Sequence, residues 1–189
     1  MSDPDFFHDI ISDHVKVVLE LPTEEINDLA ADIQETLRRG GKVIFFGNGG
    51  SATQAAHWAE EFVGRFVKKR KPLACLALGT SSANLTGIAN DFGFDEVFAR
   101  ELEVLGNKKD LAIGVSTSGN SPNILNGLQT AKKKGIKSWI LTGKSKNKAK
   151  KLADKSLSVA SDKTARIQEI HALVIHMVCE KIDEKVKAN

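Results

Sequence analysis

Short, almost unbroken apolar runs alternate along this chain with longer stretches in which apolar residues return every three or four positions. Lys42–Gly47 (KVIFFG), Leu73–Leu78 (LACLAL), Leu111–Ser116 (LAIGVS), Lys137–Thr142 (KSWILT) and Ser156–Ala160 are the short runs. Their continuous apolar character is that of parallel strands buried on both faces. Between them, Ser51–Phe66, Ser82–Asn90, Asp95–Leu105, Pro122–Lys134 and Asn147–Ala153 read as amphipathic helices. Two further helices, Asp5–Leu19 and Thr23–Arg39, precede the first strand, the second stopping at Gly40-Gly41 as a helix C-terminus does. A last helix, Thr164–Val186, follows the final strand. This alternation predicts an α/β fold, a three-layer αβα sandwich around a central five-stranded parallel sheet. No linker, repeat or low-complexity segment divides residues 1–189, so one domain is expected, with residues 1–40 as a helical extension and 41–189 as the core.

Composition narrows the class without naming a chemistry. Apolar residues at 41% and charged residues at 27% fit a globular protein. A net charge of +3 is too small to argue for nucleic acid. The runs Lys68–Lys71 and Lys144–Lys151 lack interleaved aromatics and read as solvated loops. No apolar run approaches the length of a membrane span. The acidic, polar start MSDPDFFHDIISDH is unlike a secretory leader. Cys75 and Cys179 lie far apart with no CxxC spacing. A cytoplasmic protein with two buried, reduced cysteines is therefore expected.

Sheets of this kind bind ligands beyond the carboxyl ends of their strands, where loops lead into helices. Two such loops are unusual. Gly47-Asn48-Gly49-Gly50-Ser51 follows the first strand and opens a helix. Its glycines let the backbone approach an anion, and the helix N-terminus supplies unpaired N–H donors. Ser116-Thr117-Ser118-Gly119-Asn120-Ser121 follows the third strand and precedes Pro122, grouping hydroxyls around a second helix start. Either loop alone could be an ordinary turn with a capping serine, Ser121 before Pro122 for example. Together they favour a phosphorylated small molecule. GNGGSA matches neither the P-loop pattern nor the third glycine of GxGxxG, which argues against a nucleotide.

The helix after the first loop carries His57 and Glu61, whose spacing of four places them on one face. Such a pair can ligate a metal, transfer protons, or simply bond within its own helix. The last helix carries Gln168, His171 and His176. Two histidines and a glutamine in an apolar helix point to function, although His171 alone reads as structural. Gln168 and His176 are separated by about 12 Å of helical rise.

Taken together, GNGGSA…HWAEEFVGRF, ANDFGFDEVFAR, STSGNS, LTGK and TARIQEIH…H resemble the bacterial phosphoheptose isomerases, a family built on the flavodoxin-like sugar-isomerase (SIS) domain. The resemblance runs from about Gly40 to the C-terminus. It implies conversion of sedoheptulose 7-phosphate to D-glycero-D-manno-heptose 7-phosphate, the entry to ADP-heptose and GDP-heptose precursors of surface glycans. It also implies a homotetramer in which the N-terminal helices pack between subunits. By motif, Asn48, Gly49, Gly50, Ser51, Ser116, Thr117, Ser118 and Ser121 would hold the sugar phosphate, and Asn90, Asp91, Glu61 and Gln168 would also contact substrate. Glu61 and His176 look like the acid–base pair, and His57, Glu61, Gln168 and His176 like a zinc set, one ion per subunit. Zinc could polarise the carbonyl, whereas a free Glu61 would be the better base; both remain open here. The long rise between Gln168 and His176 leads us to expect a site shared with a neighbouring subunit. Some relatives carry Asp where this chain has Ala165. The competing reading is a non-catalytic SIS scaffold that binds the bacterial replication initiator DnaA.

Overall fold

The computed structural model describes residues 5–185. Two helices lead, α1 (Phe6–Leu19) and α2 (Thr23–Arg38). The core then alternates β1 (Val43–Gly47), α3 (Gly50–Val63), β2 (Cys75–Ala77), α4 (Ser82–Phe92), a 3₁₀ turn at Phe94–Glu96 and α5 (Val97–Leu105). It continues with β3 (Leu111–Val115), α6 (Pro122–Lys133), β4 (Lys137–Gly143), α7 (Ala149–Leu152), β5 (Lys155–Val159) and α8 (Thr164–Lys185). The five strands form one parallel sheet in the order β2-β1-β3-β4-β5, with Val43 paired to Cys75 on one side and to Leu111 on the other. Among the described residues, no helix is long and apolar enough to cross a membrane.

Alternation along each strand divides the sheet between two helical layers. Val43 and Phe45 of β1 face α2, α3 and α8, in a cluster with Leu29, Ile33, Trp58, Phe62, Ile170, Val174 and Val178. Ile44 and Phe46 face the other way, onto Phe98, Leu102, Ile124 and Leu128 of α5 and α6. Both faces of β1 and β3 are fully buried, which is why these strands read as unbroken apolar runs. Each fully buried Phe or Leu contributes about 1.5–3 kcal/mol by leaving water.

The strand order fixes where a ligand can sit. The chain leaves β1 for β2 at one edge, then returns through α4 and α5 to β3 on the opposite side of β1. The order reverses there, so a crevice opens at the carboxyl ends of β1 and β3. Gly47–Ser51 and Ser116–Ser121 are the loops that line it.

Candidate active site

Both loops end in helix N-termini aimed at the crevice. Gly49 adopts φ +53°, a left-handed conformation open to glycine at little cost, and it turns the chain from β1 straight into α3. Ser51 lies buried in the first turn of α3. In the second loop, Ser116 Oγ accepts from Gly119 N at 3.1 Å and Ser118 Oγ accepts from Asn120 N at 3.3 Å, so these hydroxyls shape the turn. Ser121 occupies the N-cap position of α6, but its side chain makes no capping bond, which leaves that hydroxyl for another partner.

One link between the loops is not signalled by any motif. Asn48 and Asn123 exchange paired amide bonds, Asn48 Nδ2 donating to Asn123 Oδ1 at 2.8 Å and Asn123 Nδ2 to Asn48 Oδ1 at 2.9 Å. Asn123 is buried beneath the loops and fixes the separation of the two helix starts. Its only sequence signal is a polar residue beside the buried Ile124, Gly127 and Leu128.

About two turns into α3, about 10 Å of rise beyond Gly50, the helix presents ionisable side chains. His57 Nε2 lies 3.1 Å from Glu61 Oε1. The His176 ring of α8 meets the His57 ring edge-on with centroids 5.3 Å apart, and Phe66 stacks on its other side at 5.4 Å. One ligand atom from each of His57, Glu61 and His176 lies within 4.8 Å of the others. Tetrahedral zinc bonds of about 2.1 Å place donors about 3.4 Å apart, so modest side-chain rotation would let these three share one ion.

Gln168 is not brought to that cluster. It lies against Gly50, so close that a Cβ at Gly50 would overlap its amide. The rise of about 12 Å between Gln168 and His176 separates the two side chains along α8. α8 runs alongside α3, with Gln168 at the loop end and His176 opposite His57 and Glu61. His57, Glu61 and His176 thus meet within one chain, while Gln168 stands apart from them against Gly50. Asn90 and Asp91 lie elsewhere, exposed at the end of α4 and bonded to each other at 2.8 Å. Ala165 is exposed in the first turn of α8.

Other groups differ from or extend the sequence reading. His171 is fully buried, and burial pushes its imidazole down to about 4, with the Thr142 backbone pulling weakly the other way. It is a neutral core residue. Arg70, expected in a solvated run, is instead buried in an ion pair with Asp183. Cys179 is buried and Cys75 partly so, and burial raises both thiols, that of Cys179 to about 12, which disfavours the reactive thiolate.

Residues 6–143 match the SIS domain. The chain is 47% identical over 167 residues to a probable phosphoheptose isomerase of Thermoplasma acidophilum, covering 88% of this chain and 92% of that one. It is also 47% identical to phosphoheptose isomerase 1 of Campylobacter jejuni, covering 91% and 94%. This chain belongs to the phosphoheptose isomerase family of SIS-domain proteins. The fold agrees over nearly the whole chain. A phosphoheptose isomerase structure from Francisella tularensis superposes with a TM-score of 0.92 at 33% identity, covering 98% of this chain and all of that one. The protein is accordingly a sugar-phosphate isomerase, and the cluster of a phosphoheptose isomerase that could hold a metal ion is His57, Glu61 and His176.

Proposed function

We propose that this isomerase interconverts sedoheptulose 7-phosphate and D-glycero-D-manno-heptose 7-phosphate through an enediol(ate), supplying heptose precursors for surface glycans. The observation that carries the proposal is the placement of His57, Glu61 and His176 along helices whose other ends meet the two crevice loops. A sugar phosphate is long enough to reach both. Its phosphate would sit among Ser51, Thr117, Ser118, Ser121 and the N–H groups of Gly49 and Gly50, where two helix dipoles favour negative charge. Its carbonyl end would then lie toward the ionisable cluster, with Asn48, Ser116 and Gln168 lining the path.

Moving a carbonyl between C2 and C1 requires a proton to leave one carbon and another to reach its neighbour. Glu61 is the base that takes the C1 or C2 proton, and His176 the acid that serves the oxygens. Phe66, stacked on His176, holds that ring in place. His57, Glu61 and His176 fit zinc as a His₂-carboxylate set, and Gln168, at the loop end, is set toward substrate. An ion held there would supply Lewis acidity at the substrate carbonyl, and Glu61 serves as base where it is not itself a ligand. The presence of all three residues in one cluster favours an enzyme over a non-catalytic scaffold for the initiator DnaA.

The assembly we propose is a cytoplasmic homotetramer with active sites near subunit interfaces. Phe6, Phe7, Ile10, Ile11, Val15 and Leu19 leave one face of α1 apolar and exposed, and Phe92 and Phe94 are exposed beside Asn90 and Asp91. A second subunit covering these surfaces would bring Asn90 and Asp91 near a neighbouring crevice. Turnover of sedoheptulose 7-phosphate by the purified chain, with and without zinc, tests the reaction. Conversion that collapses in Glu61→Gln and His176→Ala supports it, and no conversion by the folded chain under any metal condition overturns it.

A further inference from the structure

The two helices that hold the cluster are also joined outside it by a buried ion pair. Arg70, in the loop leaving α3, and Asp183, near the end of α8, have side chains only 1% and 3% exposed, with Nε and Oδ1 2.8 Å apart. The same guanidinium donates through Nη2 to the Glu61 carbonyl at 2.7 Å and through Nη1 to the Phe62 carbonyl at 2.8 Å. These are carbonyls of the last turn of α3, where intrahelical donors run out. The other Asp183 oxygen accepts from Val67 N and Lys68 N, both at 3.0 Å, which pins the loop carrying Phe66 against His176. Asp183 follows His176 by seven residues, two turns along the same face of α8.

Stability alone does not account for charges in this position. Removing two ions from water is costly, and an apolar pair of similar volume often serves a core as well. What a guanidinium and a carboxylate add is direction, five bonds whose geometry an apolar contact cannot impose. We propose that Arg70 and Asp183 are positioning residues that set the placement of α3 against α8, and so the mutual geometry of His57, Glu61 and His176. This rests on the reading of that cluster as a metal-binding acid–base site. A second buried pair offers a contrast. Asp110, 1% exposed, takes Lys42 Nζ at 2.6 Å together with Lys42 N and Asn107 N, but at the amino ends of β1 and β3, across the sheet from the crevice.

The test uses the full-length chain as wild type, Asp183→Asn, Arg70→Lys and Asp110→Asn. Each is checked for folding by circular dichroism and thermal melting, then titrated with Co(II) read by visible absorption and with Zn(II) against a chromophoric chelator. Loss of an outer hydrogen bond to a metal site lowers affinity about 10–100-fold. Asp183→Asn is expected to weaken both metals by about that factor and to change the Co(II) band shape. Arg70→Lys should do the same to a smaller degree. Asp110→Asn should lower the melting temperature while keeping wild-type affinity and spectrum. Should Asp183→Asn fail to fold, Arg70→Lys carries the same readouts. A folded Asp183→Asn or Arg70→Lys with wild-type affinity and spectrum overturns the positioning role and leaves the functional reading standing. A wild-type chain that binds neither metal overturns the metal site itself, and the positioning role with it.

Discussion

On one face of the sheet, α2, α3 and α8 cover Phe45, Ile113 and Leu141; on the other, α5, α6 and α7 cover Ile44, Phe46 and Ile140. Both interiors are aromatic, Trp58 against Phe45 on the first and Phe98 against Phe46 on the second. They differ in how their polar groups are used. Under α5, Glu101 accepts from Gly79 N at 2.6 Å and from Asn84, holding the turn after β2. Its carboxylate is spent on structure. Between α3 and α8, His57, Glu61 and His176 point their polar atoms at one another, and so remain available to a ligand. The cluster lies on the face of α3, which begins at the Gly47–Ser51 loop, whereas the Ser116–Ser121 loop opens α6 on the opposite face.

The sharpest way to break this comparison is to remove one charge from the cluster. Glu61→Gln should lower kcat on sedoheptulose 7-phosphate by about 10²–10⁴-fold while the melting temperature stays near wild type. A large loss of stability with modest loss of turnover would make Glu61 structural, as Glu101 is. Phe46→Ala, on the opposite face, should do the reverse. It should cost about 3–5 kcal/mol in urea unfolding, with the folded fraction keeping its metal affinity.

The same helix supplies a finer contrast. His171 and His176 are five residues apart on α8, yet His171 is sealed in the core and pushed from 6.5 down to about 4, and so stays neutral when folded. An unfolded chain therefore binds one more proton between those pH values, so this contribution to stability is complete above pH 6.5 and lost as pH falls toward 4. The loss between pH 7 and pH 4.5 should be about 2 kcal/mol in urea titrations, and His171→Leu should flatten it. The smallest effect is expected at the surface. Lys155 and Asp28 pair at 2.9 Å with Asp28 mostly in water, so Asp28→Asn should change stability by less than about 0.5 kcal/mol and less still in high salt.

How far the sequence could be read follows from the range over which each interaction acts. The strands and helices were legible because burial on both faces leaves continuous apolar runs, and each expected element is present within a few residues. The largest boundary shift is at the end of α3, which stops at Val63 rather than Phe66, where Arg70 takes the Glu61 and Phe62 carbonyls. The α7 helix begins at Ala149 rather than Asn147 because Asn147 is used as a buried hydrogen-bond partner of Thr142 and Lys150. The crevice loops were legible because glycine and hydroxyl clusters sit directly after strands. Arg70 was misread as solvated because a basic run looks the same whether or not a carboxylate over a hundred residues away reaches it.

Local pattern thus determined the α/β alternation, the two glycine- and hydroxyl-rich crevice loops and the His57–Glu61 pair on one helical face, since each depends on residues within a few positions of one another. The tertiary structure decided that α8 lies alongside α3, that Gln168 meets Gly50 while His176 meets His57 and Glu61, that Asn123 locks Asn48, and that one of two histidines on a helix is sealed in the core. These contacts join residues 75 to more than 110 positions apart, and no local periodicity encodes which distant side chain will fill the space beside a given one.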